Sequence, residues 1–230
     1  MKAELINIFG NDDMVVDCAR VSLNKKADQY TEEQNAKLIR YCARNNHFSP
    51  FSHPKAQFRL TLPIFVARQW EKHRIGAVRG YDIYDQNETS RRYVDSAPEF
   101  YYPSEWRSRP DKSIKQGSGE RLPPNGQSHI DFLYERALEV CEDYYNKMIA
   151  VGVAPEQARM ILPQSMYTQW VETGSLSYWA RVCTLRIDAH AQAEIRELAI
   201  QVAAQMKGAF PVSWQELVGN DLDAREINNG

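Results

Sequence analysis

Two long apolar stripes constrain this chain more than any other feature of its sequence. Between Ser128 and Gly152, residues Phe132, Leu133, Ala137, Val140, Cys141, Tyr144 and Met148 recur every three or four positions. Ala191, Ile195, Leu198, Ala199, Val202 and Met206 repeat the pattern as far as Gly208. That spacing puts one side of a helix in an apolar environment, in the core or at a subunit interface. A third helix is signalled by Thr31 and Gln34, a capping box ahead of Leu38, Ile39, Cys42 and Ala43, and Asn45 and Asn46 end it. Ser213 with Glu216 reads as another such box.

Strands are fewer. Residues 3–9 suit one, and Ala56, Phe58, Leu60 and Leu62 alternate with Gln57, Arg59 and Thr61, the period of a half-buried strand. Pro63 stops that run and opens a helix over Ile64–Arg74. HFSPFSH, His47 to His53, makes a turn at Pro50. Pro155–Leu162 reads as a short helix carrying Arg159, Met166–Val171 as extended, and Ser175 as the cap of a helix running to Arg186. Arg107–Gln127 holds three Pro, three Gly and almost no apolar side chain, so it is a loop or lid. The last ten residues read as frayed. Helices outnumber strands without regular alternation, which predicts an α+β fold with a small, mostly antiparallel sheet flanked by long helices, one domain over residues 1–230.

A net charge of −2 gives no broad basic face for nucleic acid, so any anion site is local. No apolar run is long enough to cross a membrane, and the chain reads as cytoplasmic. Cys18, Cys42, Cys141 and Cys183 are far apart, without the paired spacing of a metal or redox site, and read as reduced thiols. The polar residues concentrate from Gln69 to Tyr93, where Lys72, His73, Arg74, Arg79, Arg91 and Arg92 face Glu71, Asp82, Asp85 and Glu88 in sequence. Guanidinium groups grip phosphate oxygens two at a time, so this stretch suits a phosphorylated small molecule.

The order of these residues resembles a known motif. KHR (Lys72–Arg74) followed by NETSRRY (Asn87–Tyr93) is similar to the RHR…NExSxRY signature of flavin-dependent thymidylate synthases, the ThyX family. HFSPFSH, PIFVARQW (Pro63–Trp70), ARMILPQSMYT (Ala158–Thr168) and LRIDAHAQAEIRELA (Leu185–Ala199) match further family motifs in the family's order. The resemblance implies methylation of dUMP at carbon 5, with the carbon from methylenetetrahydrofolate and reducing equivalents from NADPH through FAD. It assigns Arg186 to activation of the uracil ring. Gln69, Lys72, Glu88, Ser90, Arg91, Arg92, Arg159 and Arg186 would meet the nucleotide. His47, Ser49, Lys72, His73, Arg74, Asn87, Glu88, Ser175, Ser177, Arg181 and His190 would hold the flavin. No metal is implied, and family members are homotetramers with active sites shared between subunits.

Departures from the family pattern mark where preference could differ. Lys72 stands where the motif usually has Arg, and Ser175, Ser177 and Arg181 stand where Asn or Arg is common. The loop between KHR and NETS is longer than usual. Two other readings compete: a related flavoenzyme that methylates or hydroxymethylates another pyrimidine nucleotide such as UMP, and a non-catalytic nucleotide-binding module.

Overall fold

The computed structural model describes residues 1–72, 85–92, 97–111 and 117–219. His73, Arg74 and the expected frayed end at 221–230 lie outside the described residues. The chain runs β1 (Lys2–Phe9), α1 (Asp12–Arg20), α2 (Glu32–Arg44), β2 (Lys55–Pro63), α3 (Ile64–Trp70) and β3 (Asp85–Glu88), with a 3-10 turn at Ser49–Ser52. It continues through α4 (Pro124–Ala150), α5 (Pro155–Ala158), β4 (Tyr167–Ser175), α6 (Leu176–Arg186), α7 (Ala193–Ala209) and α8 (Pro211–Val218). The four strands form one antiparallel sheet in the order β1-β2-β4-β3, so the α+β expectation holds.

The chain divides into two compact units, one drawn from Met1–Leu60, Glu71–Asn87 and Val171–Gly230, the other from Thr61–Trp70 and Glu88–Trp170. In the first, α6 packs on α7 and α8, α2 on α8, and α7 on β1. Phe58, Trp179, Val182, Ile195, Leu198, Val202 and Met206 are fully buried there, so the stripe expected on α7 does face the core. Gly174 lets β4 turn into α6, because a Cβ on it would lie 2.3 Å from the Tyr178 ring. β1 is an edge strand, and two glutamines of α7 occupy its main chain. Ala3 N–H donates to Gln201 Oε1 at 3.0 Å, Leu5 N–H to Gln205 Oε1 at 2.9 Å, and Gln205 Nε2 returns a bond to Ala3 O at 2.9 Å.

In the second unit Leu62, Val66, Trp70, Ala158, Met166 and Trp170 form a core with Leu138 and Tyr145 of α4. The stripe expected on α4 is not core. Phe132, Leu133, Val140 and Tyr144 are 59%, 48%, 45% and 56% exposed, while the inward side is the neighbouring row through Leu138 and Tyr145. Successive helical residues are rotated by about 100°, so one helix carries both rows.

Several boundaries shift for identifiable reasons. The loop read through Gln127 ends at Pro124, where proline opens α4 and Gln127 bonds backward instead. Gln127 accepts from Trp106 N–H at 2.7 Å and donates to Trp106 O at 2.7 Å and Leu122 O at 2.9 Å, clasping both arms of the segment. Those arms pair at Arg107 and Arg121. Helix α1 was not expected; its sign is Asn11, whose side chain accepts from Met14 N–H. Helix α3 stops at Trp70, short of Arg74. Gly208 lies within α7 rather than beyond it.

Ser213 is inside α8 and does not cap it; the cap comes from far away in sequence. Asp12 Oδ2 and Oδ1 accept from Val212 N–H at 2.8 Å and Ser213 N–H at 3.0 Å. A carboxylate on the open N–H groups of a first turn is worth about 1 kcal/mol and up to about 2. Asp12→Ala therefore lowers unfolding free energy by about that amount, read as a lower midpoint in urea with an unchanged slope.

Candidate active site

In the first unit the flavin-motif residues gather around two chain reversals. Helix α2 ends at Asn45, and Asn46 takes φ +57°, a left-handed conformation that asparagine tolerates. The reversal puts His47 on the surface, its ring edge-to-face with Tyr41 at 5.7 Å. Ser49 follows, exposed, at the head of the 3-10 turn whose second residue is Pro50.

Three hydroxyls then line up at the start of α6. Ser52 Oγ lies 3.4 Å from Ser177 Oγ, and Ser177 Oγ lies 2.9 Å from Ser175 Oγ. Ser175 accepts from Tyr178 N–H at 3.2 Å and is only 3% exposed, so it is the expected N-cap, with the rest of its hydroxyl turned to Ser177. Ser177 and Arg181 sit one turn apart on α6, and Arg181 is exposed.

Arg186 is the last residue of α6 and is half-buried. Burial lowers its pKa from the ordinary guanidinium value. The charge persists, and reduced solvation strengthens its field on any neighbour. Beyond it, Asp188 Oδ1 accepts from His190 N–H at 2.8 Å and meets the ring Nδ1 at 2.9 Å, which turns Nε2 outward.

The second unit holds the residues of NETSRRY from Glu88 onward. Thr168 of β4 donates its hydroxyl to Glu88 Oε1 at 2.5 Å, and Thr89 N–H donates to Gln169 O at 2.8 Å. Ser90 Oγ accepts from Arg92, at 3.0 Å from Nε and 3.4 Å from the main-chain N–H. A guanidinium cannot take the serine's proton, so this contact does not make Ser90 a nucleophile. The Arg91 guanidinium lies 6.0 Å from the ring centroid of Tyr145 on α4. Arg159 is exposed just after α5, with Nε donating to Glu156 O at 3.2 Å. Gln69 is half-buried on α3 of this unit, whereas Lys72 and Asn87 belong to the first unit and are exposed, in the turn after α3 and on β3.

Among the expected residues, Ser175 meets Ser177 in the first unit and Ser90 meets Arg92 in the second. Thr168, Asp188, Tyr145 and Ser52 were not assigned to the site from sequence; Ser52, Thr168 and Asp188 lie inside matched motifs, and that was their only signal. The cysteines stand apart from this chemistry. Burial raises the thiol pKa of Cys18, Cys42 and Cys183, most of all for the fully buried Cys183. Among the described residues no cluster of His, Cys, Asp and Glu could hold a metal.

Exposed imidazoles, hydroxyls and guanidinium groups at helix ends suit a protein that binds phosphorylated, many-membered ligands. Known proteins identify the family. The family model for "Thymidylate synthase complementing protein" matches residues 4–212. The flavin-dependent thymidylate synthase of Kosmotoga olearia is 36% identical over 92% of this chain and 87% of its own length. That of Thermosipho melanesiensis is 36% identical over 93% of this chain and 89% of its own. The UMP/dUMP methylase PolB from Streptomyces cacaoi, solved with 5-Br dUMP, superposes with a TM-score of 0.79 at 29% identity, covering 94% of this chain and 93% of that one. This chain belongs to the thymidylate synthase complementing protein family, the family of the flavin-dependent thymidylate synthases.

Proposed function

We propose that this protein carries out flavin-dependent reductive methylation of dUMP to dTMP, with methylenetetrahydrofolate as carbon donor and NADPH as reductant. The observations that support the reading are the family match over residues 4–212 and the contacts of Glu88 with Thr168 and of Ser90 with Arg92 at the end of β3. The donor set of the first unit fits a flavin dinucleotide: neutral hydroxyls on Ser49 and Ser177 for ribose or phosphate oxygens, imidazoles on His47 and His190, and Arg181 for anionic charge. Lys72 and Asn87 of the same unit add to it, with Ser175 through its bond to Ser177; His73 and Arg74 of the KHR motif and Glu88 are the further residues that the family motif assigns to the flavin. When bound, the flavin supplies the hydride chemistry that no side chain can perform.

The protein's own work is binding and electrostatics. Arg91, Arg92 and Arg159 bear positive charge for the 5′-phosphate, and Gln69, Glu88 and Ser90 offer donors and acceptors to sugar and base. Arg186 stabilises the negative charge that must build on the uracil ring before carbon 5 becomes nucleophilic. Proton release from carbon 5 follows that activation, and no cysteine is required for it. The chain works as a cytoplasmic homotetramer with shared sites, the whole chain forming one family domain, with the segment from Arg107 to the start of α4 at Pro124 as a loop or lid. The exposed apolar row of α4 supports the assembly, and no helix among the described residues is long and apolar enough to cross a membrane.

A second reading, action on UMP, is favoured by one observation: the similar PolB structure is described as a UMP/dUMP methylase and was also solved with 5-Br UMP. Tritium release from carbon 5 of labelled dUMP and UMP, with folate and NADPH present, separates the two. The expected result is release from dUMP in large excess. Preference for UMP would establish the second reading, and no release from either by folded, flavin-loaded protein would overturn both.

A further inference from the structure

We infer that Thr168 is a positioning residue that fixes the Glu88 carboxylate for the nucleotide. The inference rests on the proposed placement of Glu88 in the substrate site. Glu88 is an exposed residue near the end of a four-residue strand, a setting in which a flexible side chain would ordinarily sample many rotamers. Here one of its oxygens is held by a hydroxyl that is itself buried, Thr168 being 9% exposed. The 2.5 Å separation is that of a charge-assisted bond from O–H to carboxylate.

The support beneath the bond is rigid. Threonine is branched at Cβ and stiff at χ1, so the direction of its hydroxyl follows from the strand that carries it. The neighbouring residues lock the same register: Thr89 N–H meets Gln169 O at 2.8 Å, and Gln169 Nε2 donates to Thr61 Oγ1 at 2.9 Å. Thr168 has one proton, and it is spent on Oε1. Oε2 is then the oxygen presented to the nucleotide, in an orientation set before the nucleotide arrives, which removes part of the ordering cost of binding.

Threonine variants separate this role from simple packing, because the two predict opposite orders. Thr168→Val keeps the shape and loses the hydroxyl; Thr168→Ser keeps the hydroxyl and loses a methyl. The readouts are the dissociation constant of dUMP by equilibrium dialysis with the flavin-loaded protein, kcat and KM for tritium release, and the melting temperature. Positioning predicts that Thr168→Val weakens dUMP binding and raises KM by about tenfold, the scale of one charge-assisted hydrogen bond, while its melting temperature holds. Thr168→Ser restores affinity to within about threefold of the parent despite a lower melting temperature. If the valine protein does not fold, Thr168→Ala against Thr168→Ser gives the same comparison.

Parent-like affinity in Thr168→Val, or equal losses in the valine and serine proteins, overturns the inference. Glu88→Ala tells the two levels apart. If it loses affinity while Thr168→Val does not, only the positioning role fails. Should Glu88→Ala itself bind dUMP as the parent does, Glu88 is not a nucleotide contact and both ideas fall. In support, the double variant binds no more weakly than Glu88→Ala alone.

Discussion

Arg186→Ala lowers turnover by about two to three orders of magnitude, the loss of roughly 3 to 4 kcal/mol that follows removal of one preorganised charge donor from a reacting centre. The expectation rests on the proposed role of Arg186 at the uracil ring and is consistent with the position of the side chain. Arg186 closes α6, is half-buried, and has its pKa lowered by that burial, so its charge acts with less solvent screening than a surface arginine's. Arg186→Lys recovers only part of the rate, since a compact ammonium cannot reproduce the planar fork. The measurement is tritium release from carbon 5 of dUMP under saturating substrate, with a melting curve to show that the variant folds. Turnover within about fivefold of the parent, well short of what losing such a donor costs, would place the charge stabilisation on another residue.

The second large effect concerns α4. Val140→Asp, and separately Phe132→Asp, breaks the proposed homotetramer and reduces activity to background while leaving far-ultraviolet circular dichroism unchanged. Phe132, Leu133, Val140 and Tyr144 are all exposed on α4 while its other row is buried in its own unit. An apolar row of this length on a surface helix marks an interaction site. Burying each such side chain fully is worth about 1.5 to 3 kcal/mol, and every copy repeats the contact. A carboxylate placed there would be desolvated without a partner. Light scattering coupled to size exclusion reads the mass, and tritium release reads the activity. A variant of unchanged mass and full activity would show that the subunits meet elsewhere.

How much of this was legible in sequence depended on the range of the interaction. Local devices were read correctly: the Thr31–Gln34 capping box, the Ser175 cap, and Gly152 at φ +92° closing α4. Each is decided within a few residues. The Asp12 clamp on α8 was misread as a Ser213–Glu216 box, because its partners are 200 and 201 positions apart and no local pattern announces them. The α4 stripe was read as apolar, and only packing could show that a neighbouring row is the one turned inward. Among the residues expected at the site, Glu88, Ser90, Arg91 and Arg92 owe their assignment to a contiguous motif. Thr168 was passed over because its role is visible only once β4 lies beside β3 and its hydroxyl meets a carboxylate 80 positions away.

The glutamine amides of α7 that engage Ala3 and Leu5 limit how copies of this protein can associate. With those hydrogen-bonding positions taken, an incoming strand finds a shortened template at the N-terminal border of the sheet. Growth by adding strand to strand, the route to open-ended fibres, is disfavoured there, and association is left to side-chain surfaces such as the outer row of α4, which can close on themselves at a fixed number of copies.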